Sequence, residues 1–175
     1  MKKEKFKVIF IGGKQAGCIG ILSTIAANCE IIAVVAYDKT METLAKKLNL
    51  KIFKSVKEKG FRNNLDNSDL LISVHGREVI EKDFLKKPTY GCINVHPCLY
   101  KYKGKNPIGR LLENNDSKAS VGIHYMDEEI DSGEVILEKF VDVSDKNTIE
   151  AVYNELYPYY AIGIIEVIDK IRMEI

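Results

Sequence analysis

Short apolar runs recur through the first half of the chain, and amphipathic or polar stretches separate them. The runs predict strands at 7–13, 31–38, 69–75 and 91–96, with a shorter strand at 52–53. The stretches between them predict helices at 16–27, 40–48, 55–61 and 78–86. Strands without polar alternation are typical of a parallel sheet covered on both faces, and alternation with helices indicates βαβ units. The pattern therefore predicts an α/β fold, a doubly wound and mostly parallel sheet with helices on both faces.

The second half has a different pattern. A helix is predicted at 106–114, where proline suits the first turn. Strands are predicted at 120–126 and 134–143, either paired antiparallel or added to the sheet edge. A long final helix is predicted from Asn147, which can cap it together with Glu150 three residues on, as in a capping box. Pro158 should kink or break that helix.

Length, composition and charge limit the number of domains and the kinds of partner that the chain can have. The 175 residues, 46% of them hydrophobic, predict a single domain over 1–175. With 26 basic and 25 acidic residues, there is no general attraction to nucleic acid or to an anionic membrane. The first apolar run is too short for a signal-peptide core, and no run could span a bilayer. The four cysteines form no CxxC pair, so we expect them reduced and the protein cytoplasmic.

A glycine turn, GGKQAG at 12–17, follows the first strand and opens the first helix, and Asp38 ends the next strand. A dinucleotide-binding fingerprint needs glycine at the first, third and sixth positions of such a turn. Lys14 occupies the third position here, where a side chain obstructs a pyrophosphate. We therefore interpret the motif as a tight strand-to-helix turn rather than a nicotinamide site. One phosphate held by the helix N-terminus beside Lys14 stays a possibility.

Two polar residues interrupt the end of the strand in INVHP. Because side chains alternate along a strand, Asn94 and His96 share a face. Leaving either one buried without a partner would cost roughly 1–3 kcal/mol. Ligands of open α/β sheets bind beyond the carboxyl ends of strands, so both residues are predicted to face a cleft. The alternative is that Asn94 caps a turn and His96 is a core histidine. A metal site of His96 with Cys92 and Cys98 lacks a fourth ligand, and no metal is predicted.

The stretches INVHPCLYKYKGKNPI and SVGIHYMDEEIDSGEVI together resemble the formyltransferase family that uses 10-formyltetrahydrofolate. That family includes glycinamide ribonucleotide formyltransferases, the catalytic domains of methionyl-tRNA formyltransferases, and sugar N-formyltransferases. The resemblance implies that Asn94, His96 and Asp131 form the catalytic triad. The Asn94 amide and a protonated His96 would donate to the developing oxyanion. Asp131 would hold the imidazolium and accept the amine's proton, directly or through a water.

The same resemblance implies a folate site built from the backbone of two loops. Carried over to this chain, its residues are Gly76, Arg77, Glu78, Val79 and Ile80 in the first loop and Asp127, Glu128 and Ile130 in the second. His124 also matches a family position, and we interpret it as a structural histidine beside the active-site turn.

The acceptor amine is less defined. GGKQAG differs from the phosphate-gripping first turn usual in glycinamide ribonucleotide enzymes, and we expect no RNA-binding domain of the kind that the tRNA enzymes add. We therefore expect a small amine, a nucleotide-linked amino sugar, with Lys14, Lys103 and Lys105 as candidate substrate-binding residues. A glycinamide ribonucleotide formyltransferase, a formyltetrahydrofolate hydrolase and a non-catalytic binding protein are the alternatives.

The final helix also carries more aromatic rings than one face can bury, and a homodimer surface there is a hypothesis. These rings belong to Tyr153, Tyr157, Tyr159 and Tyr160.

Overall fold

The computed structural model describes residues 5–173, and one seven-stranded sheet organises them in the order β3-β2-β1-β4-β5-β6-β7. The strands are β1 Phe6–Gly12, β2 Cys29–Ala36, β3 Ile52–Phe53, β4 Leu70–Val74, β5 Cys92–Pro97, β6 Lys118–Tyr125 and β7 Val135–Asp142. The helices are α1 Lys14–Ala26, α2 Lys39–Lys47, α3 Arg62–Leu65, α4 Lys82–Leu85, α5 Pro107–Glu113 and α6 Ile149–Met173.

The strands pair as the apolar pattern predicts. β1 to β5 run parallel, whereas β6 and β7 add an antiparallel edge. Alternate residues of the parallel strands enter two separate cores, one on each face of the sheet. One core includes residues of α1 and α6, and the other includes Phe61, Leu65 and Phe84 from the segments after β3 and β4. The predicted doubly wound, mostly parallel α/β fold is confirmed.

Two predicted helices are much shorter than expected. The segment 55–61 forms turns, and a helix follows only at α3, because side chains capture its backbone donors. Glu58 accepts from the Lys54 N–H, and Glu78 accepts from Val56 at 3.0 Å. The helix predicted at 78–86 is reduced to α4, and residues 78–81 before it are not helical.

The start and the middle of α6 also differ from the prediction. Thr148, not Asn147, provides the capping side chain, since its hydroxyl accepts from the Ala151 N–H at 3.1 Å. Pro158 does not end the helix, which continues to Met173. Leu156 and Tyr160, on either side of the proline, are fully buried, and this packing outweighs the backbone hydrogen bond that Pro158 lacks.

The glycine turn after β1 serves close packing. A Cβ at Gly12 would lie 2.8 Å from the Val74 carbonyl oxygen, and one at Gly17 would lie 2.9 Å from the Met41 sulfur. The Asp38 carboxylate caps α2 and also accepts the Lys14 N–H at 2.6 Å. This N–H of the α1 N-terminus is therefore already paired with a carboxylate of the protein itself.

Most of the tyrosines of α6 pack within the chain. Tyr160 is fully buried, Tyr153 and Tyr159 pack partly buried against the core, and the Tyr157 hydroxyl donates to Gln15 at 3.1 Å. A homodimer stays a prediction. In the part of the chain from 5 to 173, no helix combines the length and apolar character that a membrane crossing requires.

Candidate active site

A cavity of about 440 Å³ lies at the carboxyl ends of the parallel strands. Lys14 follows β1, His75 follows β4, His96 lies at the end of β5 and Asp131 lies in the turn between β6 and β7; all four line it. Tyr153 of α6 adds an aromatic wall. The cleft predicted for Asn94 and His96 is therefore present, at the edge where parallel α/β sheets bind ligands.

Asn94, His96 and Asp131 lie in direct contact. The His96 Nε2 is 3.1 Å from one Asp131 carboxylate oxygen, and the Asn94 amide donates to the other at 3.2 Å. These side chains come from β5 and from a turn 37 positions later. Their contact follows from the antiparallel pairing of β5 with β6, which places Asn94 opposite His124.

His124 supports this group from the neighbouring strand. It is 2% exposed, its Nδ1 donates to the Tyr125 carbonyl at 2.7 Å, and its Nε2 lies 3.3 Å from the Asn94 amide nitrogen. The same Nε2 is 3.5 Å from Asp131. His124, which we interpreted as a structural histidine, thus contacts and orients two of the three predicted catalytic side chains.

Asp131 is ionised in this setting. Burial by itself raises the pKa of Asp131, but the hydrogen bond with His124, the charge of His96 and the Gly104 N–H outweigh it and lower the pKa to about 2. The Gly104 N–H donates to the carboxylate at 2.7 Å. A carboxylate at neutral pH can both hold an imidazolium and receive a proton through a relay.

The contacts of His96 define which ring nitrogen carries hydrogen. Nε2 faces the Asp131 carboxylate at 3.1 Å and the Gly104 carbonyl at 3.0 Å, and both are acceptors only, so Nε2 is the donor. Nδ1 is buried without a hydrogen-bond partner among residues 5–173. Gly104 therefore holds the pair through both of its backbone groups, its N–H on Asp131 and its C=O on His96.

Loop 98–106 carries Gly104 to this position. Arg110 of α5 donates to the carbonyls of Tyr102 and Lys103, at 2.9 and 2.5 Å, and these hydrogen bonds hold the loop against α5. Gly104 has φ +80°, and a Cβ there would meet no atom within 4 Å. Its glycine is thus required by backbone conformation and not by crowding.

Every predicted folate-site residue lines the cavity: Gly76, Arg77, Glu78, Val79, Ile80, Asp127, Glu128 and Ile130. Two of their side chains are engaged elsewhere. Arg77 donates to the Tyr37 carbonyl at 3.0 Å, and Glu78 accepts from Ser55 at 2.5 Å. Those two positions can contact a ligand through their backbone, as expected for this family.

Only two of the three candidate substrate-binding lysines line the cavity, among the residues that the structure describes. Lys14 and Lys105 line the cavity, whereas Lys103 is not among the lining residues within the described chain. The Lys14 N–H is bonded to Asp38, so an anion at this position would be held by the Lys14 ammonium rather than by the backbone.

Residues in left-handed backbone conformation are concentrated around the site. Lys14, His75, Asn106 and Asp131 all line the cavity with φ between 53° and 60°. Such conformations are strained for residues with a Cβ and persist where the surrounding structure enforces them, commonly at functional sites. His75 and Tyr153 are lining residues that pattern analysis did not identify as site residues, and no periodicity of the sequence marks either one.

No group of three or more histidine, cysteine, aspartate or glutamate side chains could hold a metal ion within residues 5–173.

The comparison with known proteins agrees with this geometry. The family model described as Formyl transferase matches residues 7–168. The chain belongs to the formyl transferase family. The predicted family resemblance is thereby confirmed.

A relative with a curated name aligns with nearly the whole chain. A methionyl-tRNA formyltransferase of Fusobacterium nucleatum is 28% identical over 186 aligned residues, which cover 95% of this chain and 59% of the relative. The chain thus spans about three fifths of the length of that relative.

Solved structures share the fold at low identity. Glycinamide ribonucleotide transformylase 1 from Geobacillus kaustophilus has a TM-score of 0.79 at 18% identity, covering 94% of this chain and 99% of its own. An N-formyltransferase from Helicobacter canadensis, solved with folinic acid and dTDP-3-aminofucose, has a TM-score of 0.79 at 17% identity, covering 97% and 65%.

Proposed function

We propose that this protein transfers a formyl group from 10-formyltetrahydrofolate to a primary amine. The observation that carries the proposal is the contact of Asn94, His96 and Asp131 at one end of a ligand-sized cavity in a chain of this family. Cavities of a few hundred Å³ at a sheet's carboxyl edge are typical of small-molecule sites.

The cavity has a region suited to the folate. Val79 and Ile130 are apolar but 68% and 64% exposed, and they lie on the two predicted folate loops. Lys82 and Glu128 join the α4 region to the second loop by an ion pair. A flat aromatic ring inserted between the loops would cover this apolar surface and meet the backbone donors and acceptors at its edge. The folate supplies the activated formyl group.

The chain's own residues can then assist attack by an amine. The Asn94 amide and the His96 imidazole can donate to the oxygen on which negative charge develops, and such donors are worth about 10²–10³ in rate. The Asp131 carboxylate compensates positive charge on His96 and can accept the amine's proton through a relay. Nε2 of His96 carries one hydrogen, so for it to reach the reacting oxygen both its 3.0 Å contact with the Gly104 carbonyl and its 3.1 Å contact with Asp131 have to lengthen.

We infer a nucleotide-linked amino sugar as the acceptor. The Helicobacter canadensis neighbour, whose structure holds dTDP-3-aminofucose, covers 97% of this chain. Lys14 and Lys105 give the cavity two cations that suit a pyrophosphate. Methionyl-tRNA is the second candidate, because a methionyl-tRNA formyltransferase aligns with 95% of the chain. A tRNA acceptor would contradict the expectation that the protein has no nucleic-acid partner.

The deciding experiment measures tetrahydrofolate release from 10-formyltetrahydrofolate. The reaction is run with no acceptor, with dTDP-3-aminofucose, with glycinamide ribonucleotide and with methionyl-tRNA. Release that needs the amino sugar supports the proposal, and release that needs another acceptor reassigns the acceptor. Release without any amine makes the protein a hydrolase. A protein that binds folinic acid but releases nothing with any acceptor contradicts the proposed transfer.

A further inference from the structure

His75 occupies an unusual position between β4 and the first folate loop. It has φ +55° and lines the cavity. Strand alternation would place its side chain on the face of Ser73, yet its ring contacts α6, at 5.4 Å from the Tyr153 centroid and 5.9 Å from that of Tyr160. The left-handed backbone therefore turns the imidazole away from the alternating pattern and fixes it between two tyrosines.

A hydrogen bond to Tyr160 defines the proton position on His75. The Tyr160 hydroxyl lies 3.1 Å from His75 Nε2 and belongs to a fully buried side chain. Burial raises the pKa of Tyr160 well above its ordinary value, so the phenol keeps its proton. A phenol is a stronger donor than a neutral imidazole N–H, and an imidazole nitrogen is a stronger acceptor than a phenol oxygen. Tyr160 therefore donates to Nε2, and the His75 proton sits on Nδ1.

His75 is also uncharged at neutral pH. Burial lowers its pKa, and the charges of Lys14 and His96 lower it further, to about 4. Nδ1 has no hydrogen-bond partner within residues 5–173, while the residue lines the cavity. The cavity wall thus contains a neutral N–H donor that the fold itself does not use.

Strand order places this donor along the path of an acceptor. Lys14 follows β1, His75 follows β4 and His96 ends β5, and these three strands are adjacent. Tyr153 lines the same part of the cavity. An acceptor with an anionic group at Lys14 and its amine near His96 would pass along the wall that His75 and the Tyr153 ring form together.

We propose that His75 is a specificity-determining residue, donating a hydrogen bond from Nδ1 to a hydroxyl or carbonyl oxygen beside the reactive amine of the acceptor. A neutral donor suits a neutral oxygen, and the Tyr153 ring suits the C–H face of a hydroxylated ring. This inference rests on the proposed formyl transfer and deepens it, because it assigns a chemical class to the acceptor.

The test combines kinetics with a measurement that needs no acceptor. His75→Gly removes the ring together with its N–H donor, and glycine tolerates the left-handed backbone. Tyr160→Phe removes only the hydroxyl that holds the tautomer. Tyr159→Phe is the matched control, since it removes a hydroxyl from a neighbouring residue of α6 outside the cavity lining. Melting temperatures confirm that each variant is folded.

The expected results are specific to the acceptor. With the most active acceptor of dTDP-3-aminofucose, glycinamide ribonucleotide and methionyl-tRNA, His75→Gly should raise the acceptor KM roughly 3- to 10-fold, the value of one hydrogen bond between neutral groups. The KM for 10-formyltetrahydrofolate should change less than about twofold, a smaller effect than the loss of one such bond. Tyr160→Phe should show a smaller rise in acceptor KM, and Tyr159→Phe none. Imidazole ¹⁵N shifts of the wild type should report hydrogen on Nδ1 of His75.

Three results would overturn the inference. Hydrogen on Nε2 in the wild type removes the donor, whatever the acceptor is. Turnover with an unchanged acceptor KM in His75→Gly overturns the contact alone and leaves formyl transfer standing. No turnover with any acceptor in the wild type overturns the proposed function, and the acceptor contact with it.

Discussion

At the scale of single residues, the site depends on a few side chains held by several partners each. Asp131 is contacted by His96, Asn94, His124 and the Gly104 N–H. A carboxylate held in this way keeps its charge and its direction, which preorganises the donors around it. Removing any one group therefore has a larger effect on turnover than on folding.

Variants of the triad should lose turnover and keep their fold. We expect Asn94→Ala, His96→Asn and Asp131→Asn each to lower kcat at least about 10²-fold, the magnitude typical of a lost oxyanion donor or proton relay. Single-turnover formyl transfer and circular dichroism measure the two properties. A variant that retains more than a tenth of wild-type kcat would contradict the assigned role.

The pH dependence of stability should report His75. Its pKa of about 4 in the folded protein lies below the unfolded value near 6.5, so its contribution is complete above pH 6.5 and is lost as pH falls toward 4. Between pH 7 and pH 4.5 the wild type should lose about 2 kcal/mol that His75→Asn does not lose. Urea unfolding of both proteins at the two pH values measures the difference. Parallel losses would contradict a buried neutral imidazole.

At the scale of elements, two tight segments position the predicted catalytic groups. Loop 98–106 brings Gly104 onto His96 and Asp131, and the turn after β6 carries Asp131 itself. In that turn, a Cβ at Gly133 would overlap the Tyr125 carbonyl oxygen. Glycine at 133 is thus required by crowding, whereas glycine at 104 is required by its positive φ.

Gly133→Ala should displace the Asp131 turn. Because the added methyl group collides with backbone, we expect kcat to fall at least tenfold and stability to fall by about 1–3 kcal/mol. Gly163→Ala is a suitable control, since Gly163 has no positive φ and its Cβ would meet only flexible side-chain atoms, the nearest at 3.2 Å. Unchanged activity in Gly133→Ala would mean that the turn relaxes without moving Asp131.

Replacing Pro158 in the middle of α6 should stabilise the protein. The proline is exposed in the middle of a helix that continues past it, so alanine there restores one backbone hydrogen bond. We expect Pro158→Ala to raise the free energy of unfolding by about 1–3 kcal/mol. Thermal unfolding measures it, and a lower melting temperature would show that the helix geometry around the proline is needed for packing.

At the scale of the whole molecule, the carboxyl ends of the strands, both predicted folate loops and α6 line one cavity. A ligand that bridges these parts stabilises the folded state by mass action. Folinic acid at about 100 times its Kd should add about 2.7 kcal/mol, a rise in melting temperature of roughly 5–10 °C for a chain of this size.

The position of that ligand can be tested with two matched substitutions. Ile130→Lys places a charge on the apolar rim of the cavity and should reduce the folinic acid shift by at least half, because the buried apolar contact is lost. Phe140→Lys changes an exposed apolar residue of β7 that is not a lining residue in the described chain, and should leave the shift intact. Equal shifts in both variants would place the folate elsewhere.

The sequence by itself predicted a mostly parallel sheet and the three residues of the candidate triad. Continuous apolar runs between helices predict parallel strands buried on both faces, and β1 to β5 conform to this. Asn94 and His96 were predicted to face a cleft because two buried polar side chains on one strand face need a partner. Asp131 came from the family resemblance, and the structure places it against both.

Only the tertiary structure decided the features that depend on distant partners. The helix predicted at 55–61 is absent and the one predicted at 78–86 is shortened, because Glu78 makes hydrogen bonds with Ser55 and Val56. These partners are more than twenty positions away in the sequence. The same holds for Pro158, which the packing of α6 accommodates. His75 reaches Tyr160 only because its backbone is left-handed, and no periodicity in a sequence encodes that rotation. Local pattern reflects local propensity and burial, whereas the orientation of a side chain within a site depends on which distant groups surround it.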